Sequence, residues 1–112
     1  MEIVDLESLV SEQLALAYEE SSGRHAVTLV GDHDHDLRQT LIAIAGGNRL
    51  NEHDSPGEAT LQVLRGEATL TVGEHELAMS AGDHLALPPA RHGLTAVTDC
   101  AVLLTVATRG ER

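Results

Sequence analysis

Gly47–Gly66, GNRLNEHDSPGEATLQVLRG, and Gly82–His92, GDHLALPPARH, are the stretches whose reading decides the fold. Glycine at Gly47, Gly66 and Gly82 permits the positive φ needed where short strands reverse. The Pro88-Pro89 pair gives an extended lead-in that cannot continue a central ladder. Between these corners lie short apolar runs. Thr60–Leu64 and Ala68–Val72 flank Arg65-Gly66-Glu67 and read as a hairpin, with Gly73-Glu74 as a second turn.

Further strands are read at Leu85–Leu87 and Cys100–Ala107, and before the decisive stretch at His25–Val30 and Leu37–Ala45. Strands so closely spaced, with no helix between them, argue for an antiparallel barrel or sandwich. The N-terminus reads differently. From Val4 to Glu20, apolar Leu6, Leu9, Val10, Leu14 and Ala17 recur at three- and four-residue steps, which predicts one amphipathic helix. Asp5 or Ser11 supplies its N-cap, and Ser21-Ser22-Gly23 ends it. The chain therefore divides into a helical segment, 1–24, and a β-domain, 25–112. The helix either packs on its own barrel or is exchanged with a second subunit.

Composition bounds the function. A chain of 112 residues with 42% hydrophobic content makes one folded domain. Phe and Trp are absent and Tyr18 is the single aromatic residue, so the core is aliphatic. Carbohydrate and single-strand binding, which lean on aromatic platforms, are disfavoured. All seven cations are Arg, and the net charge of −11 repels phosphate backbones and anionic membranes, so neither nucleic acid nor membrane is expected as a partner. No apolar run reaches the roughly 20 residues a bilayer requires, and MEIVDLESLV carries acids where a signal peptide carries bases. A cytoplasmic protein is the default expectation. Cys100, alone, forms no internal disulfide and reads as core filler rather than nucleophile. Phosphate-binding loops, dinucleotide glycine motifs and nucleophile elbows are all missing.

In residue type and spacing, Gly47, His53 and Gly66, followed by Gly82, Pro88 and His92, resemble the two signature motifs of the cupin superfamily. The match is incomplete. Ser55 occupies the second His position of the first motif and Ala59 its Glu position, with Glu58 one residue away; Ala90 stands in for a Gly, and His92 arrives one residue early. The resemblance implies an all-β fold, a single antiparallel β-barrel (double-stranded β-helix, or jelly roll) with one N-terminal α-helix, and a homodimer. It also implies that His53 and His92 face each other inside the barrel.

A transition metal usually takes three or four protein ligands, and here the motifs supply two imidazoles. One reading is a buried pair hydrogen-bonded to backbone. The other is a divalent transition metal (zinc, nickel, iron or manganese) held by His53 and His92 and completed by Gln62, Glu58, Glu52, His33 or His35. The tract Gly31–Asp36 itself reads as a solvated loop before it reads as a metal site. Alternation sets Arg38 and Thr40 on one strand face and Gln39 and Leu41 on the other, and Gln39 and Gln62 are the polar side chains expected in the cavity. Arg49 and Arg91 flank the motifs and could clamp a carboxylate. The leading expectation is a small-molecule-binding module whose aliphatic pocket is lined by His53, His92, Ser55, Gln39 and Gln62. The alternative is a metal-dependent enzyme of dioxygenase, isomerase or cyclase type.

Overall fold

The computed structural model describes residues 1–32, 34–54 and 57–108. It opens with one helix, α1 (Leu6–Glu19), started by Asp5, whose carboxylate accepts the backbone N–H groups of Glu7 and Ser8. Val10, Gln13, Leu14 and Ala17 form its buried stripe. Among the described residues, no helix is long and apolar enough to cross a membrane.

Nine strands follow among the described residues: β1 (Arg24–Val30), β2 (Leu37–Ile44), β3 (Arg49–His53), β4 (Glu58–Arg65), β5 (Glu67–Val72), β6 (His75–Ser80), β7 (His84–Leu87), β8 (His92–Ala96) and β9 (Cys100–Ala107). All pairings are antiparallel. They form a first sheet of five strands, ordered β1-β2-β9-β4-β7, and a second of four, ordered β3-β8-β5-β6. The expected all-β jelly roll is therefore what the chain adopts, as two facing sheets.

Period-two alternation assigns each side chain to a face. Between the sheets lies an aliphatic core that includes Ile44, Leu61, Val63, Leu70, Leu94 and Val102. On the outer face of the first sheet, Leu41, Ala43 and Ala101 meet Val10, Leu14 and Ala17 of the helix. The helix thus covers one sheet face of its own chain. It crosses that face with its N-terminal end over β4, where Arg65 Nη1 donates to Ser11 Oγ at 3.1 Å, and its C-terminal end leading into β1.

The expected hairpin of Thr60–Leu64 with Ala68–Val72 does not form. Strand β4 pairs with β7 and β9 in the first sheet, whereas β5 pairs with β6 and β8 in the second. Gly66 is the crossing point, not a hairpin turn. Its φ is +81°, and a Cβ there would lie 2.0 Å from the Asp99 carbonyl oxygen, so no side chain fits. The true hairpin is β5–β6, closed by the turn at Gly73-Glu74. Strands β3, β6 and β8 lie outside the apolar runs because their sequences, RLNEH, HELAMS and HGLTA, are short and mixed.

The sole aromatic residue pins the helix. Tyr18 Oη, exposed, donates to the Asp99 carboxylate, 2.6 Å from Oδ1, and Gly46 N–H donates to the same oxygen at 2.8 Å. These two donors hold the Asp99 carboxyl below its ordinary range, the Tyr18 bond being the larger cause. The same bond raises the phenol, because the carboxylate stabilises its protonated form. Next along the chain, Cys100 is fully buried, and burial first, then the Asp99 charge, pushes its thiol up to about 11. It stays a thiol at neutral pH and belongs to the core.

Linkage gives the pH dependence of this contact. Asp99 contributes stability above its unfolded pKa, lost as pH falls through the lowered folded value; Tyr18 contributes below its unfolded pKa, lost as pH rises through the raised one. Urea unfolding of Tyr18→Phe is expected to show a lower midpoint than the parent, with the gap widest between roughly pH 4 and pH 10 and closing on both sides. A pH-independent gap would assign the effect to packing.

Candidate functional site

The two motif histidines stand on adjacent strands of the second sheet. His53 of β3 is registered opposite His92 of β8, and their ring centroids are 4.5 Å apart in an edge-to-face arrangement at 62°. His92 shares the face of Leu94 and Ala96, which line the core, and is only 6% exposed. His53 is exposed. The pair therefore looks inward from the rim, one ring in the interior and one at its mouth.

A bulge makes this possible. Leu50 faces Leu94, but the register shifts before His53 meets His92. A three-residue step alone would turn His53 away from the side of Leu50; the extra residue returns it to the interior.

Each ring is tethered to its own backbone. His53 Nδ1 lies 3.0 Å from the Asn51 carbonyl oxygen, and His92 Nδ1 lies 3.2 Å from that of Ala90. A carbonyl only accepts, so each Nδ1 is the donor, and in the neutral imidazole that leaves Nε2 as the acceptor. Two imidazoles thus present basic nitrogens at one rim.

Strand register identifies what faces them. The chain from His53 leads to the start of β4, and that from the end of β7 leads to His92. The histidines accordingly share an end of the sandwich with the row Arg38, Val106, Ala59 and Leu87 across the first sheet. The last three are each 7% exposed. Arg38 has the parity of the core residues Ile42 and Ile44, which puts it on the interior side, and its Nε donates to the His35 carbonyl at 3.4 Å. Sequence reasoning considered Arg38 and Thr40 but passed over their face. The missing signal was that Ile42 and Ile44, not Leu41 and Ala43, point between the sheets.

That same parity corrects two expected pocket residues. Gln39 lies on the outer face with Leu41, its Nε2 donating to Thr105 Oγ1 at 3.2 Å. Gln62 alternates with the core residues Leu61 and Val63 and so also faces outward. Neither shares the interior with the histidines. Glu58 has the same parity as Gln62, and Glu52 lies over Gly93 on the outer face of the second sheet. His35 is held by Asp32, Nδ1 to Oδ1 at 2.8 Å, on the loop before β2. Arg91 ties itself to β3 and its end, donating through Nη2 to the Glu52 carbonyl at 3.1 Å and lying 3.7 Å from Asp54. Arg49 is exposed and pairs with Thr95, on the outer face. Ser55 and His33 lie outside the described residues. Among the described residues, no three or more His, Cys, Asp or Glu side chains form a group able to hold a metal ion.

Comparison with known proteins agrees with this architecture. The family profile described as a cupin domain matches residues 40–107. A conserved Streptococcus pyogenes protein of unknown function superimposes with a TM-score of 0.72 at 26% identity, over 95% of this chain and 86% of that one. A cupin superfamily protein of Desulfitobacterium hafniense gives 0.69 at 19% identity, covering 75% and 76%. Salicylate 1,2-dioxygenase from Pseudoaminobacter salicylatoxidans, in its adducts with gentisate, gives 0.75 at 20% identity, over 91% of this chain but only 31% of the dioxygenase. No curated protein matches the chain.

The tautomers are directly measurable. Two-bond proton–nitrogen spectra at pH 8 are expected to report both His53 and His92 as Nδ1–H forms; an Nε2–H pattern for either ring would remove its free nitrogen from the rim.

Proposed function

The chain belongs to the cupin family, and from that premise we propose that it binds a small molecule at the histidine-lined mouth of its jelly roll, without a complete catalytic metal site. One observation carries this reading: two imidazoles in contact, both with Nε2 unclaimed, set against an aliphatic interior. Ala59, Leu87 and Val106 would supply apolar contact, and the imidazoles would accept a hydrogen bond or, once protonated, donate one. Arg38, on the same side, favours a ligand with a carboxylate or comparable anionic group. The chain would act as a homodimer in the cytoplasm.

A metal-dependent enzyme is the second reading, and a specific feature speaks for it. Imidazoles that ligate metals commonly donate their other N–H to a backbone carbonyl, as both rings do here. Against it, the candidate third ligands Gln62, Glu58 and Glu52 lie on outward faces. Two imidazoles alone give a weak, exchangeable hold.

Two measurements separate the readings. In a thermal-shift screen, small organic acids at a hundred times Kd are expected to stabilise by about 2.7 kcal/mol, a rise in melting temperature of roughly 10 °C. His92→Ala would abolish the shift and Gln62→Ala would retain it. Stabilisation by no ligand, or stabilisation indifferent to His92, would overturn the binding reading. Metal analysis of untagged protein is expected to give sub-stoichiometric zinc, nickel, iron and manganese unaffected by His53→Ala. Near-stoichiometric metal lost in that variant would establish the enzyme reading instead.

A further inference from the structure

Two inward-facing positions of the first sheet are open to solvent. Ala26 and Thr28 of β1 pair with Ile42 and Thr40 of β2, on the face that contributes Ile42 to the core, yet both are exposed. Val27, between them, points the other way and packs beneath the helix. Exposure at inward positions means that side chains do not fill the gap between the sheets along β1. What remains is a cleft of about 160 Å³ with walls from both sheets, Ala26 and Ile42 from the first and Leu50 from the second, with Arg24 and His25 beside them.

Strand parity connects this cleft to the histidine mouth. Leu50 and His53 are successive inward residues of β3, because the bulge takes up Asn51 and Glu52. Across the gap, Arg38, Thr40 and Ile42 are successive inward residues of β2, which sets Arg38 and Ile42 roughly 13 Å apart along the strand. At the end remote from the histidines, Arg24 is inward by its pairing with Ile44, and its Nη1 donates to the Arg49 carbonyl of β3 at 3.0 Å. That side chain therefore spans from one sheet to the other. The cleft is polar at the histidine end, apolar along its length and bridged at the far end.

This sequence of surfaces selects a chemistry. Ala26, Ile42 and Leu50 carry no hydrogen-bonding side-chain atom and no ring, so whatever lies along them gains burial and neither orientation nor stacking. We propose that the ligand is an unbranched alkyl carboxylate. Its head group sits at His53, His92 and Arg38, its chain runs along Ala26, Ile42 and Leu50, and the Arg24 bridge to β3 limits the length accepted. The proposal rests on the binding reading above and names its ligand class.

Calorimetric titration of the full chain with butanoate, hexanoate, octanoate and decanoate tests it. Affinity is expected to rise about fourfold per methylene, the equivalent of about 0.8 kcal/mol, until the chain meets Arg24, and then to level off. Ala26→Trp, which fills the cleft from an exposed position, is expected to remove the dependence on chain length with unchanged far-UV circular dichroism. Thr28→Trp, one inward step nearer the mouth, is expected to do the same. Arg24→Ala is expected to move the levelling-off to a longer chain. Failure of all four acids to bind would overturn the proposal, while the binding reading would still stand or fall with the organic-acid screen and its His92→Ala control. Binding that does not strengthen with chain length, as a cleft covered by a second copy would give, or strengthening that survives both tryptophan variants, would overturn the place of the chain in the cleft and leave the histidine mouth standing. A levelling-off unmoved by Arg24→Ala would overturn the limit set by that residue.

Discussion

Which side of a strand each residue occupies governs this molecule, and a one-residue slip in β3 sets the side that matters most. Leu50 packs inward against Leu94; without the slip, His53 would project with the outward residues, into water. The bulge carries Asn51 and Glu52 past Gly93 and returns His53 to the interior face. There the absence of a side chain at Gly93 leaves room for Glu52, whose Cγ lies 3.2 Å from where a Cβ would be. Backbone geometry at one position thus produces a juxtaposition that neither histidine could produce through its own rotamers.

Much of this was legible because it rests on local chemistry. Asp5 caps the helix as its short carboxylate and position predict, and the helical stripe of Val10, Leu14 and Ala17 follows from three- and four-residue spacing. Family resemblance put His53 and His92 face to face inside the barrel; the structure sets them side by side on β3 and β8 of one sheet, His92 buried and His53 exposed, and the bulge that does so leaves no periodic trace. The rest needed knowledge of which sheet a strand joins. Thr60–Leu64 and Ala68–Val72 look like a hairpin because each alternates and a glycine separates them. The Asp99 carbonyl packed against Gly66, however, belongs to a contact far along the chain. Gln39 and Gln62 fail for a related reason. With the helix covering one face of β2 and the second sheet the other, both faces of that strand bury aliphatic residues, so apolar content cannot tell inside from outside.

The lack of Phe and Trp shapes the core and the site together. Leu, Ile, Val and Ala fill the space between sheets, with Met79 and Cys100 in the remaining gaps. Such a core offers a ligand dispersion contact but no stacking surface, so orientation within the mouth would fall to the few polar groups there. His92, at 6% exposure, is the one ionisable side chain among the buried polar residues of the described chain, the other being Gln13. Gln13 is spoken for, with Oε1 2.6 Å from His25 Nδ1 beneath the helix. His92 makes its backbone contact through one nitrogen and keeps the other, which sets it apart from a polar side chain that the fold satisfies in full.

Charge sharpens the same distinction. In a chain of net −11, a cation is scarce, and most of the described arginines are committed to backbone or side-chain oxygens: Arg24 to β3, Arg65 to the helix, Arg91 to the end of β3. Each of these braces one element against another. Arg38 differs: its contact with the His35 carbonyl is long, at 3.4 Å, and its charge, after the hydrogen bonds from His35 and the Asp34 N–H, helps hold the Asp32 carboxyl below its ordinary range. On the reading proposed above, an anion at the mouth would meet this residue from the inward side of the first sheet, the face its strand parity assigns. The surrounding acidic surface would oppose its approach through bulk solvent, so selectivity would arise at the mouth, from the fit between one cation, two imidazoles and an aliphatic wall, and not from long-range attraction.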